Sequence, residues 1–269
     1  MNREILSKIK EKREFSQLSD IDIEKAYEQF EKRQASEEEK IRLTRELLRK
    51  IFSAFVSRKL LSLKNKDEIS SRERYLRTLK NHSEEWILRK HVSTRERLPY
   101  YKEIYKKIFD NYKKASVIDL GAGINGFSHK FFDKDVSYIA IDSVGQLVEL
   151  MNFYFKKKKL KAHAIHLSLF EKEKVKEIIK KEKKPRIILM FKVIDALEAL
   201  ERDYSKELIL EIAPLADEIA VSFATKSLGN RKKFHAKRNW IMDFIKDNFK
   251  IIDDFELGGE RYVIFKKGN

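Results

Sequence analysis

Residues 115–132 read "ASVIDLGAGINGFSHKFF", an apolar, β-branched run that ends in three glycines spaced G-x-G-x-x-G: Gly121, Gly123 and Gly126. A strand that runs into such a turn opens a nucleotide-binding α/β unit, and the flanking acids decide which kind of ligand it suits. In a dinucleotide site the glycines let a pyrophosphate sit on the amino terminus of the next helix, and an acid about 20 residues later takes the ribose hydroxyls. That later acid is present as Asp142, closing "VSYIAID". Asp119 stands just before the turn, as "D-L-G-A-G". A carboxylate there would repel a pyrophosphate and suits an ammonium group instead.

Outward from this stretch the two halves of the chain differ. Towards the carboxyl end, "SVIDL", "VSYIAID", "KAHAIHLSL", "RIILMF" and "EIAVSF" alternate with amphipathic segments such as "QLVELMNFYFKK" and "EKVKEIIKKEKK". Short buried strands separated by helices predict a doubly wound parallel sheet. "FKIIDDFELGGERYVIFKK" departs from that rhythm, and its two strands around Gly258 and Gly259 predict an antiparallel hairpin. Towards the amino end there is no glycine before Gly121 and no proline before Pro99. Such a stretch is mostly helix. "SEEEKIRLTRELLRKIFSAFV" begins with Ser36 and Glu39 as a capping box and repeats its apolar residues near the helical period. In "HVSTRERLPYYKEIYKKIF", Ser93 and Glu96 suggest a second box, with Pro99 restarting a helix. The expected division is a helical domain over 1–98 and an α/β domain over 99–269.

Charge narrows the partners. Lysine and arginine number 59 against 43 acids, a net +16, and the excess is concentrated, with 41–98 carrying +9 while 1–40 carry −2. Six basic side chains and no acid lie within Thr225–Arg238, directly after a strand's carboxyl end. Basic surfaces placed this way point to nucleic acid. The absence of cysteine excludes disulfides and thiolate metal sites, and no apolar run approaches the roughly 20 residues of a membrane span. A cytoplasmic protein with no metal is expected. His163 and His166 form an H-x-x-H pair without a third ligand, which suits ordinary histidines better than a metal site.

A parallel sheet finished by an antiparallel hairpin, with Asp119 and Asp142 flanking a glycine turn, is the outline of class I S-adenosylmethionine methyltransferases. Within that outline the chain resembles the aminoglycoside-resistance 16S rRNA (guanine-1405-N7) methyltransferases. The likeness runs in order from about residue 88 through "HVSTRERLP", "VIDLGAGIN", "AID" followed by Gln146, "LMFKVIDALEALE", "AVSFATKSLGNR" and "YVIFKK". Two departures stand out: "AGING" keeps Asn125 but lacks a following proline, and "IHLSL" places Leu167 and Ser168 where an acid often contacts adenine.

The resemblance implies a helical, RNA-binding amino-terminal domain and S-adenosylmethionine as cofactor, leaving as S-adenosylhomocysteine. It also implies 16S rRNA in the assembled small subunit as substrate for a monomeric enzyme. Arg97 would meet the methionine carboxylate. Asp119, Gly121, Ala122 and Gly123 would line the methionine end, with Asp142 and Ser143 at the ribose and Leu167, Ser168 and Phe191 completing the pocket. Lys192, Ser222, Lys226, Ser227, Arg231 and Lys232 would hold the flipped guanine and its phosphates. Guanine N7 already offers a lone pair, so no catalytic acid or base is expected. The alternatives are a methyltransferase of the same fold acting on another rRNA position or tRNA, one acting on a small molecule, and a non-catalytic RNA-binding homologue. If the helical half serves only RNA, its first 90 residues should be dispensable for cofactor binding.

Overall fold

The computed structural model describes residues 1–53, 82–225 and 238–268. Each apolar run identified above forms a strand: β1 (Lys114–Leu120), β2 (Asp135–Asp142), β3 (Ala162–His166), β4 (Arg186–Phe191) and β5 (Glu218–Ala224). The closing hairpin is β6 (Phe249–Leu257) and β7 (Glu260–Lys267). All lie in one sheet of order β3-β2-β1-β4-β5-β7-β6. The first five strands run parallel, and β7 pairs antiparallel with both β5 and β6. The chain reverses its winding between β1 and β4, and ligands of such sheets bind outside the carboxyl ends at that point.

The central strands β1, β2, β4 and β5 are buried on both faces, so their residues alternate between two cores. Val117, Tyr138, Ala140, Ile187 and Leu189 face one; Ile118, Ile139, Ile141, Ile188 and Met190 face the other. The second is covered by α8 (Lys172–Lys181), α9 (Ile194–Leu200), α10 (Tyr204–Ile212) and α11 (Asn239–Asn248), through residues such as Val175, Ile194, Leu208 and Ile241. The first is covered by α6 (Tyr101–Ile108) and α7 (Gly145–Lys158), and the amino-terminal helices join it. Those are α1 (Arg3–Lys10), α2 (Asp20–Glu31) and α3 (Glu37–Leu48), followed after the undescribed 54–81 by α4 (Glu84–Leu88) and α5 (Val92–Arg97). Ile5, Ile9, Phe15, Ile23, Ile41 and Leu48 belong to the same apolar cluster as Met151, Phe155 and the sheet. The helical half is thus packed into the α/β core.

Local signals were met unevenly. Ser36 Oγ accepts from the Glu39 N–H at 3.2 Å and caps α3, while the Glu39 carboxylate turns to Arg42 instead of reaching back. The second capping box does not form. Helix α5 starts at Val92, which puts Ser93 inside its first turn, and Glu96 is drawn away to the Lys192 ammonium at 2.8 Å. A half-buried ion pair with another element outweighs a local cap on a six-residue helix.

Candidate functional site

The glycine turn is closed to phosphate by its own hydrogen bonds. The N–H groups of Gly121 and Ala122 both reach the Ile141 carbonyl of β2, at 2.9 and 3.1 Å. The Gly123 N–H donates to Asp142 Oδ2 at 2.7 Å, and that of Asn125 returns to the Ala122 carbonyl at 2.8 Å. These donors, which would cradle a pyrophosphate, are spent within the protein. The segment that follows, Asn125–Phe131, is a 3-10 helix, so the turn does not open directly into an α-helix. Gly121 adopts φ +70° and Gly123 φ +56°, and a Cβ on Gly121 would stand 2.4 Å from Val193 Cγ2. The turn must lie flat against the end of β4, and only glycine permits both the conformation and the approach.

Behind the turn lies a buried acid. Asp119 Oδ2 accepts from Asn125 Nδ2 at 2.7 Å and from the Tyr138 hydroxyl at 2.6 Å. Burial pushes its carboxyl up to about 6, against the pull of those two donors and of the Arg97 charge. Asn125 is fixed in turn by the Tyr101 hydroxyl on its Oδ1 at 2.8 Å. Asn125 thus joins α6, the turn and β1, which accounts for its place in "AGING" without the proline.

At the carboxyl ends of β4 and β5 a second buried network centres on Glu260 of β7. Its carboxylate accepts from Arg97 Nε at 2.9 and 3.0 Å, lies 3.2 Å from the Lys192 ammonium and takes a short hydrogen bond from Ser222 Oγ. Arg97 and Glu260 are only 3% and 2% exposed, so the pair is far from a surface contact. Burial opposes the guanidinium charge, yet Glu260 beside it holds its pKa above the ordinary value. Arg97 Nη2 nevertheless has no hydrogen-bond partner among the described residues. The guanidinium lies 4.9 Å above the Phe191 ring, which meets Tyr262 edge-on. Lys192 holds φ +56°, a costly conformation for a residue with a side chain, and its N–H is tied to Ser222. His91 lies beneath Gly123, with Nε2 3.3 Å from where a Cβ would be. Burial, with Arg97 and Lys192 nearby, pushes its imidazole down to about 3, so it is neutral.

The carboxyl ends of β2 and β3 form the other side of the cleft. Asp142 accepts from the Val144 N–H at 2.8 Å in addition to that of Gly123. Leu167 N–H bonds the Asp142 carbonyl at 3.1 Å, and Ser168 is fully buried with its Oγ accepting from the Phe170 N–H. Residues of the amino-terminal segment close over this end. Gly145 N–H donates to the Gln17 carbonyl at 2.8 Å, Ser19 N–H to the Ser143 carbonyl at 3.0 Å, and Leu18 forms a β-bridge with Val144.

The fold therefore gathers Arg97, Asp119, Gly121, Ala122, Gly123, Asp142, Ser143, Leu167, Ser168, Phe191, Lys192 and Ser222 around the carboxyl edge of β1, β2, β3, β4 and β5. Lys226, Ser227, Arg231 and Lys232 lie outside the described residues. Sequence reasoning passed over Glu260, Tyr262, His91 and Asp22. Glu260 carried a usable signal, an acid at the head of the strand that holds the apolar run 262–265, and His91 opens "HVSTRERLP" six residues before Arg97. Among the described residues no group of three His, Asp or Glu side chains could hold a metal ion, and no helix is long and apolar enough to cross a membrane.

Comparison with known proteins supplies the context. The family described as "Ribosomal RNA methyltransferase (FmrO)" matches residues 78–244. A 16S rRNA (guanine(1405)-N(7))-methyltransferase of Micromonospora echinospora is 27% identical over 187 residues, which are 66% of this chain and 63% of that protein. The chain thus spans somewhat under two thirds of that relative's length. Among solved structures, the 16S rRNA methyltransferase RmtF in complex with S-adenosyl-L-homocysteine superposes with a TM-score of 0.76 at 20% identity, covering 100% of both chains. The 16S rRNA methylase RmtB gives 0.75 at 19%, covering 100% of this chain and 99% of its own. At these identities the likeness establishes the fold.

Proposed function

The chain belongs to the FmrO family of ribosomal RNA methyltransferases, and from that premise we propose that it methylates N7 of guanine-1405 in the 16S rRNA of the small ribosomal subunit, acting as a monomer with S-adenosylmethionine. The observation that supports this reading best is the pairing of a phosphate-closed glycine turn with an unsatisfied, buried Arg97 Nη2. A dinucleotide would find the Gly121, Ala122, Gly123 and Asn125 amides already engaged, whereas a carboxylate-bearing cofactor would satisfy the orphaned guanidinium donor.

The residues present fit that cofactor. Arg97 would bind the methionine carboxylate, held in place by Glu260 and the Phe191 ring. Asp119 sets a negative field behind Gly121 and Gly123 that suits an ammonium. Asp142 keeps lone pairs beyond the two amides it accepts from, enough to receive ribose hydroxyls. When bound, S-adenosylmethionine supplies an electrophilic methyl group. The protein's part is to orient the base, exclude water and tolerate the positive charge that passes to the ring. No proton has to leave N7, and the buried titratable groups agree: His91 is neutral, and Asp119 is already engaged by Tyr138 and Asn125. Lys192, at the mouth of β4, is neutralised by Glu96 and Glu260 and so would orient the guanine instead of gripping a phosphate. The basic loop after Thr225 would supply phosphate contacts, which position without reading sequence.

Transfer of label from methyl-tritiated S-adenosylmethionine to small subunits, naked 16S rRNA and tRNA tests the proposal. The expected acceptor is the small subunit. Label appearing in tRNA alone, or in none of the three, would refute it.

A further inference from the structure

Asp22, near the start of α2, is 3% exposed and pairs with no lysine or arginine among the described residues. Lys25, three positions further along α2, is committed to Glu201, and Lys10 to Asp20. Burial pushes its carboxyl up to about 6, the Asp142 charge adds to that, and the Ser168, Ser143 and Ser19 hydroxyls favour its ionised form. Its Oδ2 has no hydrogen-bond partner among the described residues. An acid three residues after a serine at a helix start ordinarily serves as a capping-box acceptor for the serine N–H. Here the Ser19 N–H is taken by the Ser143 carbonyl at 3.0 Å, so that role is filled from the other side. A buried, underpaired carboxylate is costly, and function commonly retains one.

Its surroundings identify its ligand. Asp22 stands between the hydroxyls of Ser143, next to Asp142 on the β2 exit, and Ser168, in the loop after β3. Those are the elements that would hold the nucleoside half of S-adenosylmethionine, and "IHLSL" offers no acid of its own there. The position is fixed by backbone hydrogen bonds from Gly145 to Gln17 and from Ser19 to Ser143, and by Gln146 Nε2 on the Arg13 carbonyl and Ser16 Oγ. Helix α2 is anchored at its other end by Gln29 Nε2 on the Ala199 and Leu200 carbonyls.

We propose that Asp22 is the adenine-reading acid of this enzyme, supplied from the helical half in place of a residue after β3, and that it accepts a hydrogen bond from the 6-amino group of the cofactor's adenine. Two carboxylates and three hydroxyls, with no lysine or arginine paired to Asp22 among the described residues, suit a ligand that offers neutral donors, and an exocyclic amine beside ribose hydroxyls is such a ligand. The amino-terminal segment is then part of the cofactor site as well as of the RNA-binding half.

This inference rests on the methyltransferase reading, and isothermal titration separates the two. The probes are S-adenosylhomocysteine and its 6-oxo analogue S-inosylhomocysteine, which presents an acceptor where adenine presents a donor. The wild-type chain is expected to bind the adenosyl compound more tightly than the inosyl one by about 10- to 100-fold, the worth of a hydrogen bond to a charged group. Asp22→Ala should weaken only the adenosyl compound and bring the two affinities together. Asp22→Asn, which keeps the shape and one acceptor, should retain part of the discrimination. Thermal melts identify any variant that fails to fold, and the wild-type discrimination tests the proposal without any variant. Equal wild-type affinity for the two probes, or discrimination undiminished in a folded Asp22→Ala, would overturn the role of Asp22 while leaving the methyltransferase reading intact. Failure of the wild-type chain to bind S-adenosylhomocysteine at all would overturn both.

Discussion

Arg97 stood out in the sequence as a candidate site residue because it ends a short motif before the cleft, but the partner that fixes it did not, since Glu260 lies 163 positions away. Only the antiparallel β7, set against β5, brings the two together. Removing one member of a buried ion pair leaves an uncompensated charge, at a cost of about 3–5 kcal/mol. Glu260→Gln should therefore destabilise the fold by about that much in urea denaturation, and the double variant Arg97→Met, Glu260→Leu by less than Glu260→Gln alone. Asp142→Ala should weaken S-adenosylmethionine binding by about 1.5–3 kcal/mol in calorimetry, the worth of hydrogen bonds to a charged acceptor. Asp22 bears on pH. Burial raises its folded pKa from the ordinary 3.8 to about 6, so the stability its protonated form contributes is complete below about 4 and lost as pH rises through 6. Asp22→Asn should then melt at a higher temperature than wild type at pH 8, by on the order of 2 kcal/mol of stability, with the advantage fading towards pH 4. An advantage that is constant across that range would show that the carboxylate carries no burial penalty.

The glycine turn is the element whose identity the sequence conveyed and whose chemistry needed coordinates. Spacing alone leaves pyrophosphate and sulfonium cofactors both open, and Asp119 only tilts the choice. The backbone hydrogen bonds to Ile141 and Asp142 weigh against pyrophosphate by engaging amides it would use, and they depend on how β2 lies beside β1. The three glycines also differ in what they do. Gly121 needs its left-handed backbone, whereas a Cβ on Gly126 meets side chains alone, 2.6 Å from Phe155 Cζ and 2.9 Å from Met151 Sδ of α7. Gly126→Ala should cost about 1–3 kcal/mol by overpacking and be partly rescued by Phe155→Leu. Gly121→Ala should not be rescued by Val193→Ala, since backbone strain remains after the space is cleared. Equal rescue at both positions would contradict this distinction. The strands themselves were legible because a parallel sheet buried on both faces needs continuous apolar runs. The Ser93 box was misread because no local pattern reports that Lys192 competes for Glu96.

Across the whole molecule, the helical half looks separable in sequence, since glycine, proline and charge all change near its boundary. Its packing shows otherwise, with Ile9, Phe15 and Ile23 fully buried in the cluster that includes Met151, Phe155 and the sheet. This shared core argues against the expectation that the first 90 residues are dispensable for cofactor binding. Deleting 1–35 should expose this apolar surface, broaden the thermal transition and reduce S-adenosylhomocysteine affinity at least tenfold, about the worth of one charged hydrogen bond. An unchanged affinity would restore the separable-domain picture. The net charge of +16 is the molecule's broadest statement about its partner, and the proposed guanine N7 chemistry is the narrowest. Mass-spectrometric mapping of 16S rRNA, from small subunits incubated with S-adenosylmethionine and with or without the protein, joins the two directly. The expected result is a single new 7-methylguanosine at guanine-1405. A methyl group on another base, or 16S rRNA left unmodified by a protein that binds the cofactor, would contradict the account.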